Sequence, residues 1–263
     1  MKLQNPNDVV PVGQWTVAAH WLSHRAAERR HLTMYLSGAH AYGFPSPDSD
    51  LDIKCIHIAK TAHLLAITPH DDGLEVTEIV DGVELDYSSH ELGMVMRGSI
   101  NGNGNYLERL LGETMFATDD QLFGAARDII TSLLSQRVAN HYVGFASSQL
   151  KLFDAKPTAK RALYVLRTAA TGRALLGEGR MVTDVRQLLH LCPVGIDELF
   201  AIKQRGETEA LPLVMATAWR ARLAAAIAAL ESAKQTSVLP ATPTDGGLRA
   251  ANDWLLAVRR ANF

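Results

Sequence analysis

Ser37-Gly38-Ala39-His40-Ala41-Tyr42-Gly43-Phe44-Pro45-Ser46-Pro47-Asp48-Ser49-Asp50-Leu51-Asp52 is the stretch on which the fold reading turns. A glycine turn precedes two carboxylates spaced i, i+2, and in an extended strand that spacing puts both on one face. Neighbouring carboxylates repel each other and are costly to ionise together unless a cation sits between them. A glycine turn that feeds a helix offers backbone N–H groups to phosphate oxygens. Together the two halves describe a site for metal–nucleotide chemistry. Taken alone, Asp48, Asp50 and Asp52 also fit a solvated acidic turn. A calcium loop fails, because Ile53 stands where that loop needs glycine and Ala59 where it needs a bidentate glutamate.

Upstream, 15–31 reads as a helix with Trp15, Ala18, Ala19, Leu22 and Ala26 along one face, and 32–37 as a short strand stopped by Gly38. Residues 39–43 form a turn or short helix, and Pro45 and Pro47 make 44–47 a loop. Downstream, 51–58 alternates, with Leu51, Ile53 and Cys55 on one face and Asp50, Asp52, Lys54 and Ile56 on the other. A short helix is expected at 63–66. The runs 75–80 and 83–88 form a hairpin through Asp81-Gly82. Asp86 sits mid-strand between Leu85 and Tyr87, with Glu84 on its face, and in a sheet beside 51–58 it meets Asp50 and Asp52 as a third oxygen ligand. Ser88 and Glu91 carry the capping-box spacing and open a helix to about 99. The run 101–105 is a sharp break, read first as a structural turn with Asn105 as a cap, and 106–111 is helical.

Beyond residue 115 the strand signals stop. Helical patterns follow over 120–153, 159–177, 183–191, 196–205, 211–234 and 246–260, punctuated by prolines and glycines. The expected architecture is α+β: a small mixed sheet flanked by helices over 1–115, then a helical domain over 116–263.

The chain has 263 residues, 47% of them apolar, and a net charge of −2, so no global basic footprint marks a nucleic-acid coat protein. A local basic groove stays open. Cys55 and Cys192 have no metal-type spacing and read as reduced thiols of a cytoplasmic protein, with a disulfide as the alternative. Residues 1–15 lack the basic and apolar regions of a signal peptide, and no stretch approaches the roughly 20 apolar residues of a membrane span. No P-loop, dinucleotide fingerprint or nucleophile elbow is present. His20 and His24, spaced i, i+4, lack the glutamate of a zinc-protease helix and read as helix-face histidines. His40, inside the glycine turn, reads equally as a phosphate contact or as a local packing group. Lys151, Lys160, Arg161, Arg167 and Arg173 are either a solvated helix face or contacts to phosphate.

The glycine turn, the Asp50/Asp52 pair and Asp86 on a later strand resemble the DNA polymerase beta-type nucleotidyltransferase superfamily. More narrowly, the chain resembles the predicted nucleotidyltransferases of the RNA-repair-pathway polymerase-beta family. The further matching segments are Asp86-Tyr87-Ser88 with Glu91-Leu92, Gly102-Asn103-Gly104-Asn105 with Leu107-Glu108, and, in the helical half, Arg161-Ala162-Leu163-Tyr164, Arg167, Thr171-Gly172, Leu175-Leu176 and Gly179. The resemblance covers roughly 30–190. It implies metal ligation by Asp50, Asp52 and Asp86, with Mg²⁺ (or Mn²⁺) as cofactor and a nucleoside triphosphate as substrate. It implies that Gly38 and its neighbour Ala39 hold the triphosphate, with Ser37 and His40 as further candidates beside them; it raises Arg161 and Arg167 as phosphate contacts and makes Asn103, Asn105 and Glu108 secondary candidates. It favours an RNA end as acceptor, while the charge balance leaves a protein or small-molecule acceptor open. The chain departs from the pattern at Ala39, where the family carries serine and its hydroxyl. That departure supports a further alternative, a degenerate protein that binds nucleotide without chemistry.

Overall fold

The alternation in 51–58 generates the sheet. The fold is a computed structural model that describes residues 5–68, 73–113, 115–118, 120–206 and 210–263. The first four residues of the segment read for a leader, and the side chain of Ala26, lie outside the described residues. Strands β1 (Arg30–Leu36), β2 (Leu51–Ile58), β3 (Gly73–Val80), β4 (Val83–Glu91) and β5 (Met115–Thr118) pair in the order β3-β4-β2-β1-β5. The β2–β4 pair is parallel and the others are antiparallel. Leu51, Ile53, Cys55, Leu85 and Tyr87 are fully buried on one face, packed with Ala18, Trp21 and Leu22 of helix α1 (Val12–Glu28). Each such side chain removed from water contributes about 1.5–3 kcal/mol before entropy is charged against it. The expected two-residue hairpin turn is present, with φ of +48° at Asp81 and +79° at Gly82, the pair of positive values that a type I′ turn needs.

After β1 the chain makes a short helix α2 (Gly38–Ala41), and after β2 another, α3 (Thr61–Leu64). Helices α4 (Leu92–Ile100) and α5 (Gly104–Leu111) pack on β2, and α6 (Asp120–Ser132) packs on β1, α4 and α5. Ser88 does not cap α4. β4 runs on through Glu91, because its residues pair on both sides, Ser88 with Lys54 of β2 and with Glu75 of β3. Glu91 is the cap instead, its carboxylate accepting from Gly93 N at 2.7 Å and Met94 N at 3.4 Å. Asn103, not Asn105, caps α5 by accepting from the Asn105 N–H at 3.0 Å. The expected long helix over 120–153 is broken between α6 and α7 (Val138–Ala155), where Gln136 N donates to the Pro240 carbonyl at 2.9 Å. β5 is a strand the sequence reading missed, and 185–191 is a 3-10 helix.

Helices α7, α8 (Ala159–Glu178), α9 (Ile196–Lys203) and α10 (Leu213–Ala233) form a helical bundle. Gly172 lets α8 approach its neighbours, since a Cβ there would lie 2.7 Å from Leu230 and 2.8 Å from Tyr142. α10 is long and apolar enough by length and composition to cross a membrane, which the sequence reading did not anticipate. Its Trp219, Leu223, Ile227 and Leu230 are buried in the bundle, and Arg220 pairs with Asp154 of α7 at 3.2 Å. Helix α11 (Asp245–Ala261) returns to pack on α6.

The molecule divides into a sheet unit (1–38, 50–133, 243–263) and a helical unit (39–49, 134–242). These limits do not coincide with the division at residue 115, because α6 and α11 join the sheet unit and 39–49 joins the helical one. That segment is held there by Lys203, which is 0% exposed and donates to Ser46 Oγ and, at 3.3 Å, to Ser49 Oγ. Ser46 Oγ in turn donates to Asp48 Oδ1 at 2.6 Å. Cys55 and Cys192 are both free thiols.

Within the sheet unit, Arg259 of α11 grips Glu91 bidentately, with Nη2 to Oε2 at 2.6 Å, and the Glu91 side chain is only 3% exposed. Removing Arg259 leaves a buried carboxylate without its cation, so Arg259→Met is expected to lose about 3–5 kcal/mol in urea unfolding.

Candidate active site

Parallel pairing of β2 and β4 sets Asp52 directly opposite Asp86, and Lys54 opposite Ser88. In-register residues of adjacent strands share a face, so the two carboxylates and the ammonium project from the side of the sheet opposite the α1-covered core. Lys54 Nζ lies 3.1 Å from Asp86 Oδ2 and 3.6 Å from Asp52 Oδ1, and donates to the Asp86 carbonyl at 3.4 Å. The Asp86 side chain is 38% exposed and that of Asp52 18%. Burial pushes the Asp52 carboxyl up to about 7. The charge of Asp50, just before the strand, pushes the same way, as do the charge and hydrogen bond of Asp86, while Lys54 opposes them.

The glycine turn closes on Asp52. Gly38 has φ of +63°, and a Cβ there would fall 1.7 Å from Asp52 Oδ2. Glycine is therefore required twice, for the left-handed backbone and for the space the carboxylate fills. Ser37 N donates to the Asp52 carbonyl at 2.8 Å, which ties the turn to the start of β2.

Among the described residues, no three His, Cys, Asp or Glu side chains are grouped closely enough to form a ready metal cage. What is built is a carboxylate pair with a cationic group already between its oxygens. That donor set fits Mg²⁺ or Mn²⁺, which take one or two carboxylates and complete their shell with water and substrate phosphate.

Arg109 of α5, absent from the sequence reading, supports this face. It is 6% exposed and donates to Ser88 Oγ at 2.9 Å, the Cys55 carbonyl at 3.3 Å and His90 Nδ1 at 2.6 Å. A guanidinium only donates, so His90 Nδ1 is the acceptor. Burial and then the Arg109 charge push that imidazole down to about 4. Lys54 was legible as a member of the Asp52 face, but its two carboxylate contacts depend on where β4 lies.

The other candidates have the following surroundings. Ala39 (2% exposed) and His40 (7% exposed) belong to the segment built into the helical unit. In that unit Arg161 donates to the Leu152 and Lys156 carbonyls at 2.6 and 2.9 Å, closing the end of α7, and lines a cavity of about 380 Å³ with Lys156, Lys160 and Tyr164. Arg167 is buried, with its guanidinium 3.5 Å over the Tyr42 ring. Glu108 is buried in α5. His24 Nδ1 donates to the His20 carbonyl at 3.1 Å.

Two measurements check this geometry. Gly38→Ala is expected to cost at least about 1 kcal/mol from the left-handed backbone alone, and more from displacement of Asp52, read by urea unfolding. The raised Asp52 group implies a second result. Between about pH 4 and 7 the folded chain binds this proton more tightly than the unfolded one, so stability from Asp52 falls as pH rises through that window and stays lost above it. Asp52→Asn is therefore expected to match the parent near pH 4 and to melt several degrees higher at pH 8 in chelator, roughly the shift that 1–2 kcal/mol produces. His31, His57 and His90, pushed down mainly by burial, destabilise the fold as pH drops below 6.5 in both proteins, so the difference between them isolates Asp52.

Known proteins resemble this chain over part or most of its length. An uncharacterized protein of Methanocaldococcus jannaschii is 26% identical over 157 residues, 58% of this chain and 63% of its own length. The uncharacterized protein YcgL of Bacillus subtilis is 31% identical over 138 residues, half of each chain. The chain thus spans between half and two thirds of the length of these relatives. The crystal structure of a nucleotidyltransferase-like protein from Exiguobacterium sibiricum aligns over 94% of this chain and 79% of its own, at 10% identity and a TM-score of 0.35. Residues 20–257 match the family model described as the RNA repair pathway DNA polymerase beta family, and a match of that extent makes this chain a member of that family.

Proposed function

We propose that the chain transfers a nucleoside monophosphate from a nucleoside triphosphate to an acceptor hydroxyl with release of pyrophosphate, using Mg²⁺ or Mn²⁺. The observation that supports this most is the in-register meeting of Asp52 and Asp86 against the Gly38 turn. In this reading Asp50, Asp52 and Asp86 hold the metal. When bound, the ion neutralises phosphate charge and polarises the attacking and leaving oxygens. Asp86, the more exposed of the register pair, takes the proton from the acceptor hydroxyl as its oxygen bonds to the α-phosphorus and the bond to the leaving pyrophosphate breaks. A divalent cation facing Asp52 would oppose the burial and the like charges that push this carboxyl up. The backbone of the Gly38 turn receives the triphosphate. Arg161, which closes the end of α7, and Arg167, which lies over Tyr42, are further candidates for contact with phosphate. Most of the rate comes from positioning and charge neutralisation.

The family's description favours an RNA end as the acceptor, and the free thiols suit a cytoplasmic setting. One observation favours a second reading. Ala39 supplies no hydroxyl for phosphate, which suits a protein that binds nucleotide without transferring it.

The test incubates the protein with each α-labelled nucleoside triphosphate and Mg²⁺ or Mn²⁺. RNA with a free 3′ hydroxyl is present or absent, and both pyrophosphate and labelled acceptor are followed. Asp52→Asn and Asp86→Asn are each expected to lower transfer by about 10²–10³-fold or more. Transfer that survives both substitutions would show the site to be wrongly assigned. Bound but intact nucleotide with every acceptor would favour the binding protein.

A further inference from the structure

We propose that Lys54 is the resident cation of the Asp52–Asp86 pair, and that a divalent ion enters by exchange with it, so that Lys54 sets the affinity and charge selectivity of metal binding. The inference rests on the nucleotidyl-transfer reading of the same site and adds a residue to it.

The argument begins with the strand. Lys54 is two residues beyond Asp52 on β2, so the pleat returns it to the same face and its stem cannot carry the ammonium to the other side. Across the parallel ladder its register partner is Ser88, whose hydroxyl accepts from Arg109. That pairing offers Lys54 no carboxylate of its own, so the ammonium turns back along the strands to Asp86 at 3.1 Å and Asp52 at 3.6 Å. The Lys54 side chain is 17% exposed and the Asp52 side chain 18%, so water screens this contact only partly.

Lys54 faces one oxygen of each carboxylate, Asp52 Oδ1 and Asp86 Oδ2, and a metal ion that bridges the pair through those oxygens competes with the ammonium for them. An ammonium and a divalent ion at the same oxygens would repel at close range in a partly buried setting. On those oxygens one displaces the other. The exchange favours a divalent ion for a simple reason of charge. Asp50, Asp52 and Asp86 supply three negative charges and Lys54 one positive charge. Replacing a tethered single charge by a free single charge gains no neutralisation and loses the advantage of the tether. Replacing it by a double charge gains one unit. Lys54 thus excludes sodium and potassium while holding the two carboxylates in register before metal arrives. Its cost is a weaker grip on the divalent ion itself.

The test uses the full chain and Mn²⁺ alone, titrated by calorimetry and by the paramagnetic signal of free Mn²⁺ at pH 8. Lys54→Met is expected to bind Mn²⁺ at least about tenfold more tightly than the parent, and 150 mM sodium to weaken that binding more in the variant than in the parent. Lys54→Arg keeps the charge and is expected to stay within about threefold of the parent. Asp86→Asn is expected to abolish binding in the parent and in the Lys54→Met background. Should Lys54→Met fold only when Mn²⁺ is present, melting followed against Mn²⁺ concentration carries the same comparison, and that dependence supports the exchange. Asp86-dependent binding of equal or lower strength in Lys54→Met overturns the role of Lys54 and leaves the metal site standing. Binding that is absent from both proteins, or indifferent to Asp86, overturns the metal reading together with it.

Discussion

The parallel register between β2 and β4 is the constraint on which the sheet unit depends. It puts Leu51 beside Leu85 and Ile53 beside Tyr87 in the core under α1, and by the same pleat puts Asp52 beside Asp86 on the far face. A slip of one residue would drive the acids into the space held by Trp21, Leu22 and Tyr87. The apolar face thus enforces the position of the polar one. Packing energy spread over many contacts fixes a geometry that two repelling carboxylates would never choose for themselves.

The repulsion is managed in layers. Lys54 supplies charge locally, and the raised Asp52 group shows that one ammonium does not fully offset burial and two neighbouring acids. Behind the pair, Arg109 binds Ser88, His90 and the Cys55 carbonyl, so β4 is tied to β2 by a buried cation with no carboxylate among these partners. At the end of β4, Glu91 spends its charge on the start of α4 and on Arg259 of α11. The proposed chemistry would use this face by setting a further cation against the carboxylates that Lys54 only partly offsets.

Several elements were legible because their signals are local. The alternation Leu51, Ile53, Cys55 predicted the inner face, Asp81-Gly82 predicted the turn, and the helical texture after residue 115 predicted the bundle. The misreadings share one cause, a distant partner overriding a local preference. Ser88 carries a capping pattern, yet ladders on both sides hold it in β4. The chain between α6 and α7 contains no breaker, yet its backbone bonds to Pro240. β5 is short, without alternation, and exists only because β1 has an open edge for it. Asn103 rather than Asn105 caps α5, a one-step choice that the asparagine-rich run does not decide by itself.

By itself, the amino-acid sequence determined which residue types crowd together near the glycine turn, which face of β2 carries Asp52 and Lys54, and which family the chain resembles. Those properties follow from chemistry and from a period of two, and both are written along the chain. Only the tertiary structure decided that Asp86 arrives opposite Asp52, that Lys54 lies between them, and that Gly38 is needed for room as well as for its backbone angle. It also decided that 39–49 belongs to the helical unit through the buried Lys203. Each of these depends on strands or helices far apart in sequence being brought together by burial of apolar surface. That driving force has no direction of its own, so the local pattern cannot specify its partners.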